Sequence, residues 1–141
     1  MEHKPNSILV IQTSDIGRME ARHRFEEFGL IKGKDYQFFR RPDFAFFSEI
    51  SVNANAPQLV FTSHIEMMLD SIDLAREIKR ANSLAVVFAL TSSVLPEVLP
   101  ANSLDGVIPK SPTHIDMPSN ISKAFLAGKT RKELVRIAQG R

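Results

Sequence analysis

Short apolar runs alternate five times with longer amphipathic stretches along this sequence. Four of the runs contain many β-branched residues and are typical of buried strands: residues 8–11, 59–62, 84–91 and 106–108. A fifth run, residues 35–40, is rich in strand-forming aromatic residues. Alternating strands and helices favour a parallel sheet with helices on both faces. We therefore predict an α/β fold built on a five-stranded, doubly wound parallel sheet.

The stretches between the runs differ in the strength of their helical pattern. The clearest helix is predicted over residues 65–80, where one face carries Met68, Ile72, Ala75 and Ile78. A helix over residues 16–30 is predicted to end at Gly29, with three- and four-residue spacings among Met19, His23, Phe25 or Glu26, and Phe28. Residues 42–50 predict a weaker helix. Residues 94–99 contain one proline and precede another, so we expect a short or degraded fourth helix.

A last helix is predicted near the C-terminus, with Ser119 or Asn120 as its N-cap. Gly128 is expected to break this helix into two. Its apolar positions are Ile121, Phe125, Leu134 and Ile137. We assign residues 1–127 to the folded domain and residues 128–141 to a basic, helical C-terminal extension, with no separate output domain.

Length and composition exclude several classes of protein. The 141 residues suffice for one domain with its own core. The absence of cysteine excludes disulfide bonds, thiolate metal sites and a cysteine nucleophile. The four histidines show no ligand spacing, so we expect no metal centre and no cofactor. The start lacks the pattern of a signal peptide, and no apolar run approaches the ~20 residues that cross a bilayer. A cytoplasmic location without membrane contact is expected.

Several segments at the predicted strand ends are similar to those of a known family. SILVIQTSDIGRMEARHRFEEFGL is similar to the family's first strand, loop and helix, PQLVFTSH to its third strand, VVFALTS to its fourth, and LDGVIPKSP to its fifth. Over roughly residues 1–127, the chain resembles the receiver domain of two-component response regulators. The resemblance implies a flavodoxin-like (βα)5 fold and a role in signalling.

The same resemblance implies that the phosphorylation site is degenerate. A working receiver has two acidic residues after strand one, an aspartate after strand three, a hydroxyl residue after strand four and a lysine after strand five. This sequence has at those positions Gln12 and Thr13, Ser63, Thr91 and Lys110. Mg²⁺ is held by carboxylate oxygens, and an acyl phosphate requires a carboxylate nucleophile. Val107 stands where the family commonly has a switching aromatic residue. We expect a pseudo-receiver that is not phosphorylated on aspartate, with no catalytic residue and no enzymatic activity.

Other roles for residues near this site stay open. Ser63 is a candidate for modification by a kinase. Asp15 and Glu66 lie just beyond the degenerate positions and are candidates for rebuilding a metal site, although acids at helix starts also complement the helix dipole. Thr91 and Lys110 are expected to serve packing and solubility.

Phenylalanine and arginine are concentrated between residues 38 and 47. Either the second strand and helix bury most of the phenylalanines, or the cluster forms an exposed patch that docks a protein partner, because such residues dominate interface hot spots. The candidate patch comprises Phe38, Phe39, Arg40, Arg41, Phe44 and Phe47.

The function expected from this reasoning is a non-enzymatic signalling or regulatory module that acts through protein–protein interaction. The resemblance implies that a protein partner or a homodimer uses the face of helix four, strand five and helix five, in residues 94–104 and 121–137. One alternative is a nucleic-acid-associated regulator that uses Arg40, Arg41 and the C-terminal residues 123–141, which hold six Lys or Arg and one acid, although a net charge of +2 is small. Another is a sensor of a small ligand or anion at the pocket of Gln12, Ser63, Thr91 and Lys110.

Overall fold

A computed structural model describes residues 8–12, 15–52, 56–62, 68–91, 104–109 and 117–138, with the backbone alone for residues 68–72, 91, 109 and 117. The strands in these ranges are β1 (Ile8–Ile11), β2 (Tyr36–Phe39), β3 (Leu59–Thr62), β4 (Val86–Thr91) and β5 (Gly106–Pro109). The helices are α1 (Asp15–Glu27), α2 (Phe44–Val52), α3 (Met68–Ala81), α4 (Met117–Leu126) and α5 (Arg131–Ala138).

The strands form one parallel sheet in the order β2-β1-β3-β4-β5. This confirms the predicted five-stranded, doubly wound parallel sheet. Because β1 lies between β2 and β3, the direction of winding reverses beside β1. In such sheets ligands bind beyond the carboxyl ends of the strands at this switch point. That edge of the sheet, after Ile11 and Thr62, is where a functional site is expected.

Successive side chains of each strand enter two cores, one on each face of the sheet. Core A lies between the sheet and α1, α4 and α5, and its strand residues include Val10, Tyr36, Phe61, Phe88 and Ile108. Core B lies between the sheet and α2 and α3, and its strand residues include Leu9, Ile11, Val60 and Val87. Burial on both faces explains why β1 and β3 are continuous apolar runs in the sequence.

The inward face of α1 differs from the predicted spacing. Phe25 is buried in core A, and Ala21 and Phe28 pack against the same core. Ala21, Phe25 and Phe28 stand at positions i, i+4 and i+7, the spacing of one helix face. Met19 is 71% exposed and His23 is also exposed, so their predicted place in this series was wrong. The reason is geometric, because six residues turn an α-helix by about 240° and put Met19 on the far side from Phe25.

Helix ends follow the glycines that the sequence pointed to. Gly29 has φ of 84°, and Leu30 N–H donates to the Phe25 carbonyl at 2.9 Å, which confirms a glycine C-cap after α1. Gly128 has φ of 86° and separates α4 from α5, as predicted. The predicted N-cap at Ser119 or Asn120 was wrong, because α4 begins at Met117. Pro118 lies in the first turn of α4, where its missing N–H costs no helical hydrogen bond.

The C-terminal helices belong to the packed structure. Ile121 of α4 and Leu134 of α5 are fully buried in core A. Asp105, just before β5, ties both helical layers to the sheet: its Oδ2 accepts from Val87 N–H at 2.7 Å and from Lys79 Nζ of α3 at 2.8 Å. Its Oδ1 lies 3.6 Å from Arg131 Nε of α5. The predicted fourth helix, at residues 94–99, lies outside the described residues.

Candidate functional site

The described part of the predicted receiver site is the carboxyl end of β1 and its surroundings. Gln12 follows β1 directly, and Thr91 is the last residue of β4, in register with Pro109 of β5. Both therefore lie at the same edge of the sheet. The other predicted positions, Thr13, Ser63 and Lys110, lie outside the described residues, as does the side chain of Thr91.

Both the backbone and the side chain of Gln12 are held in place at this edge of the sheet. Its N–H donates to the Phe39 carbonyl at 2.9 Å, which extends the pairing of β1 with β2. The side chain is buried, and it lies against the first turn of α1, where a Cβ on Gly17 would be 2.6 Å from the Gln12 Cδ. The neutral amide thus occupies space beside the strand end where a receiver has an acidic side chain.

A fixed cation faces the end of β1. The Arg18 guanidinium donates through Nη1 to the Gln12 carbonyl at 2.7 Å and pairs through Nη2 with the Asp15 carboxylate. Arg40, from the loop after β2, approaches the same Asp15 oxygen at 3.2 Å. The Arg18 side chain is only 19% exposed, so its charge is held near the strand end. A second cation such as Mg²⁺ would be repelled by this arrangement.

The carboxylate that was a candidate for rebuilding a metal site is directed elsewhere. Asp15 is 75% exposed and contacts two arginines. The side chains in the described ranges include no group of three or more His, Asp or Glu that could hold a metal ion. Glu66, the second candidate, lies outside the described residues.

Val107, at the position of the family's switching aromatic residue, is partly buried and packs against core B. A valine side chain in this place fills part of the core and has no ring to rotate between a buried and an exposed position. The described structure therefore provides no aromatic switch at position 107.

The predicted Phe/Arg patch is divided by the sheet. Phe38 packs against core A, and Phe39 against core B, because successive strand residues point to opposite faces. Phe47 of α2 is also partly buried against core B, next to the fully buried Phe46. The six residues do not form one surface. The exposed members are Arg40, Arg41 and Phe44, of which Phe44 is 88% exposed.

Two further apolar side chains are exposed at the same end of the molecule. Ile16 and Met19, at the start of α1, are 70% and 71% exposed. The Asp15–Arg40 contact joins the start of α1 to the loop before α2, so these residues and Phe44 flank one edge of the sheet. We define the exposed set Ile16, Met19, Arg40, Arg41 and Phe44 as the upper patch. The sequence reasoning missed Ile16 and Arg18; the three-residue spacing of Asp15 and Arg18 was the available signal for the ion pair.

The candidate dimer face is only partly described. Residues 94–103 lie outside the described ranges, and Ile121 and Leu134 are buried in core A, so they cannot form a surface. The exposed side chains of α4 and α5 are mostly cationic: Lys123, Arg131, Lys132 and Arg136, besides Asn120 and Leu126. Within the described residues, no helix is long and apolar enough to cross a membrane.

The following two are among the solved structures that are similar to this chain. A response regulator from Thermotoga maritima superposes with a TM-score of 0.63 at 18% identity, covering 89% of this chain and 100% of that one. The chain has the receiver-like fold. A protein described as a pilus assembly protein, CpaE, from Burkholderia thailandensis E264 superposes with a TM-score of 0.56 at 10% identity, covering 84% and 98%. No family profile and no curated protein matches the sequence. At these identities the receiver-like likeness concerns the fold alone.

Proposed function

We propose that this chain is a pseudo-receiver: a cytoplasmic, non-enzymatic signalling or regulatory module that works by binding a protein partner without phosphorylation on aspartate. The fold supports a receiver-like module. The charge at the end of β1 supports the loss of phosphorylation, and the upper patch supports a protein partner. Each of these two points has its own test.

The observation that carries the first point is the Arg18 guanidinium against the Gln12 carbonyl, at 2.7 Å. A receiver needs acidic oxygens there to hold Mg²⁺, which then neutralises the incoming phosphoryl group. Here the amide of Gln12 is neutral, and the hydroxyls of Thr13 and Ser63 carry no charge. Arg18 and Arg40 together outnumber the one carboxylate that they contact, Asp15. At these positions Mg²⁺ finds no carboxylate ligand, and the phosphoryl group finds no carboxylate nucleophile on which an acyl phosphate could form.

An NMR titration tests this point. The amide spectrum is recorded before and after Mg²⁺ with acetyl phosphate or beryllium fluoride, and a phosphorylatable receiver treated in parallel shows that the reagents are active. We expect no saturable shift at Gln12, Arg18 or Thr91. Saturable shifts at these amides would mean that a phosphate-responsive site exists despite the missing acids.

The second point rests on the upper patch. Phe44, the first residue of α2, is 88% exposed. The preceding Asp43 caps this helix, because its Oδ1 accepts a hydrogen bond from the Phe46 N–H at 3.1 Å. The ring is therefore presented by an ordered helix start. The Asp15–Arg40 contact links the loop before α2 to the start of α1, which carries the exposed Ile16 and Met19. Aromatic and arginine side chains are enriched in interface hot spots. Arg41 is unpaired in the described contacts, so the patch favours a partner with apolar and acidic side chains.

Site-specific photocrosslinking tests the second point. A benzophenone amino acid is placed at Phe44 in the full chain and, as a control, at Lys34, which is exposed at the other end of β2. We expect the probe at position 44 to give one discrete crosslinked protein. Arg41→Glu should abolish this crosslink, whereas the control charge reversal Lys32→Glu, away from the upper patch, should leave it unchanged. Equal crosslinking from both positions, or no effect of Arg41→Glu, would argue against the upper patch as the docking surface.

Nucleic-acid binding is a second candidate function, favoured by the exposed cations of α4 and α5. It predicts an affinity for DNA or RNA that falls steeply with salt, because phosphate contacts release counterions. Arg131 is partly committed to Asp105 and to the Ala85 carbonyl, which reduces the number of cations available. Fluorescence anisotropy with a labelled oligonucleotide at two salt concentrations separates this function from protein binding.

A further inference from the structure

A groove of about 520 Å³ lies at the edge of the sheet opposite to the upper patch. It opens between the starts of β3 and β4 and the turn that joins α4 to α5. Its apolar lining comes from core A, through Val86, Phe125 and Leu134, and from the partly exposed Pro57 and Leu84. Leu84 is 46% exposed, so the groove brings apolar surface into contact with water. Burying that surface under a ligand would be favourable.

The turn that borders the groove is held in place by hydrogen bonds at both of its ends. At the end of α4, Gly128 N–H donates to the Phe125 carbonyl and Lys129 N–H to the Ala124 carbonyl, both at 3.0 Å. At the start of α5, Glu133 N–H donates to Thr130 Oγ1 at 3.2 Å, and Thr130 N–H donates back to Glu133 Oε1 at 3.0 Å. A groove with fixed walls loses little conformational entropy when it binds a ligand.

The charges at the groove favour an anion. Lys129 and Arg131 line it, and no acidic side chain is among its lining residues. Arg131 Nη2 donates to the Ala85 carbonyl at 2.9 Å, which orients the guanidinium while the side chain stays 45% exposed. Asp105, its acidic neighbour at 3.6 Å, is shared with Lys79 and cannot neutralise both cations.

Lys129 adds a second charge at the same rim. Among the described residues it forms no ion pair; Glu133, with which it interacts electrostatically, is hydrogen-bonded by the backbone and hydroxyl of Thr130. The acids Asp105 and Glu133 are thus outnumbered by Lys79, Lys129 and Arg131. The rim of the groove carries a net positive charge.

We propose that this groove binds a small aliphatic carboxylate, with the alkyl chain against Leu84, Phe125 and Leu134 and the carboxylate at the rim beside Lys129 and Arg131. The volume lies within the range of small-molecule sites, about 300–1,000 Å³, which are mostly apolar with a few polar groups that fix orientation. A protein partner would need roughly 800 Å² of surface. The ten residues that line the groove are fewer than the roughly 20–30 that such an interface uses on each side.

NMR titration of the full chain with octanoate, below its micellar concentration, tests the proposal. We expect saturable amide shifts at Leu84, Phe125 and Lys129, and no saturable shift with octylammonium, which has the same chain and the opposite charge. Non-saturable shifts with octanoate, or equal binding of both compounds, would overturn the proposal. Binding of a leucine-ending peptide with a free carboxylate, without binding of octanoate, would also overturn it and point to a peptide ligand.

A pair of charge-reversal variants makes the test specific to the rim. Lys129→Glu removes a lining cation, and we expect it to weaken octanoate binding at least about threefold. Lys132→Glu makes the same change of charge on an exposed residue of α5 that does not line the groove, and should leave the affinity within about twofold. Equal weakening by both variants would mean that net charge, and not this groove, attracts the anion.

Discussion

Gln12 and Gly17 form a pair at the end of β1 that residue types alone did not predict. The sequence showed that position 12 lacks an acid, but only the fold shows where the amide goes. The absence of a side chain at Gly17 leaves the space that the Gln12 amide fills. Glycine is otherwise disfavoured in a helix relative to alanine, by up to about 1 kcal/mol in the interior.

This pair can be tested with a double-mutant cycle. Gly17→Ala should stabilise the protein by up to about 1 kcal/mol in a Gln12→Ala background, where only helix propensity changes. In the wild-type background the new Cβ must displace the Gln12 amide, so we expect a gain at least about 0.5 kcal/mol smaller, or a loss. Urea unfolding of the four proteins measures the coupling. Equal effects in both backgrounds would mean that the amide does not occupy this space.

Asp105 is the acid that we expect to matter most for stability. Asp105→Ala leaves Lys79 and Arg131 without their shared partner and Val87 N–H without its acceptor. The carboxylate is only 9% exposed, and removing one member of such a network costs about 3 kcal/mol. Asp73→Ala is the control, because Asp73 is 72% exposed and its pair with Arg76 is expected to contribute less than about 0.5 kcal/mol. Similar unfolding midpoints for the two variants would contradict this role.

At the scale of secondary structure, the start of α5 depends on Thr130 and Glu133. Hydrogen bonds from the Thr130 backbone N–H and hydroxyl lower the pKa of the Glu133 carboxyl below its ordinary value of 4.5. Since the folded-state pKa is below the unfolded-state pKa, the carboxylate stabilises the fold above about pH 4.5. This contribution is lost as the pH falls through the folded-state pKa.

Comparison of the wild type with Glu133→Gln tests this linkage. We expect the difference in unfolding free energy to be constant above about pH 5 and to shrink as the pH falls below 4.5, the ordinary pKa of the carboxyl. Thr130→Ala removes the other half of the capping box and should cost about 1 kcal/mol at neutral pH. A difference between wild type and Glu133→Gln that stays constant down to pH ~3 would contradict the depressed pKa.

The elements that sequence patterns predicted well are those with one dominant cause. β1 and β3 coincide with the predicted runs because burial on both faces demands continuous apolar residues. Gly29 and Gly128 were correctly predicted as helix ends because a positive φ favours glycine. The inward face of α1 was predicted only in part: Phe25 and Phe28 were identified, but Met19 was wrongly added. The exposed face also carries Ile16, and hydrophobicity alone does not separate the two sides.

At the scale of the whole molecule, the Phe/Arg cluster also shows that residue type alone does not predict which side chains share a surface. Its composition suggested one surface, but the two-residue period of β2 sends Phe38 and Phe39 to opposite cores. The composition of a segment does not specify to which face of the sheet each side chain points, and the core that it enters depends on where the neighbouring helices lie. The charge at the candidate site was likewise not predicted, because the contact of Arg18 with the Gln12 carbonyl depends on where α1 lies relative to the end of β1.

The extent of the folded unit is a property of the whole molecule, and the division at residue 127 stays a proposal that stability measurements can test. Leu134 is 1% exposed in core A, so Leu134→Ala should cost about 3 kcal/mol, while Lys132→Ala, on the exposed side of α5, should change stability by less than about 0.5 kcal/mol. A chain truncated after residue 127 loses Leu134, Ala138 and the Arg131–Asp105 contact together. We expect its thermal unfolding midpoint to fall further than that of Leu134→Ala. If the truncated chain instead unfolds at the wild-type temperature, residues 128–141 are an extension, and core A is complete without α5.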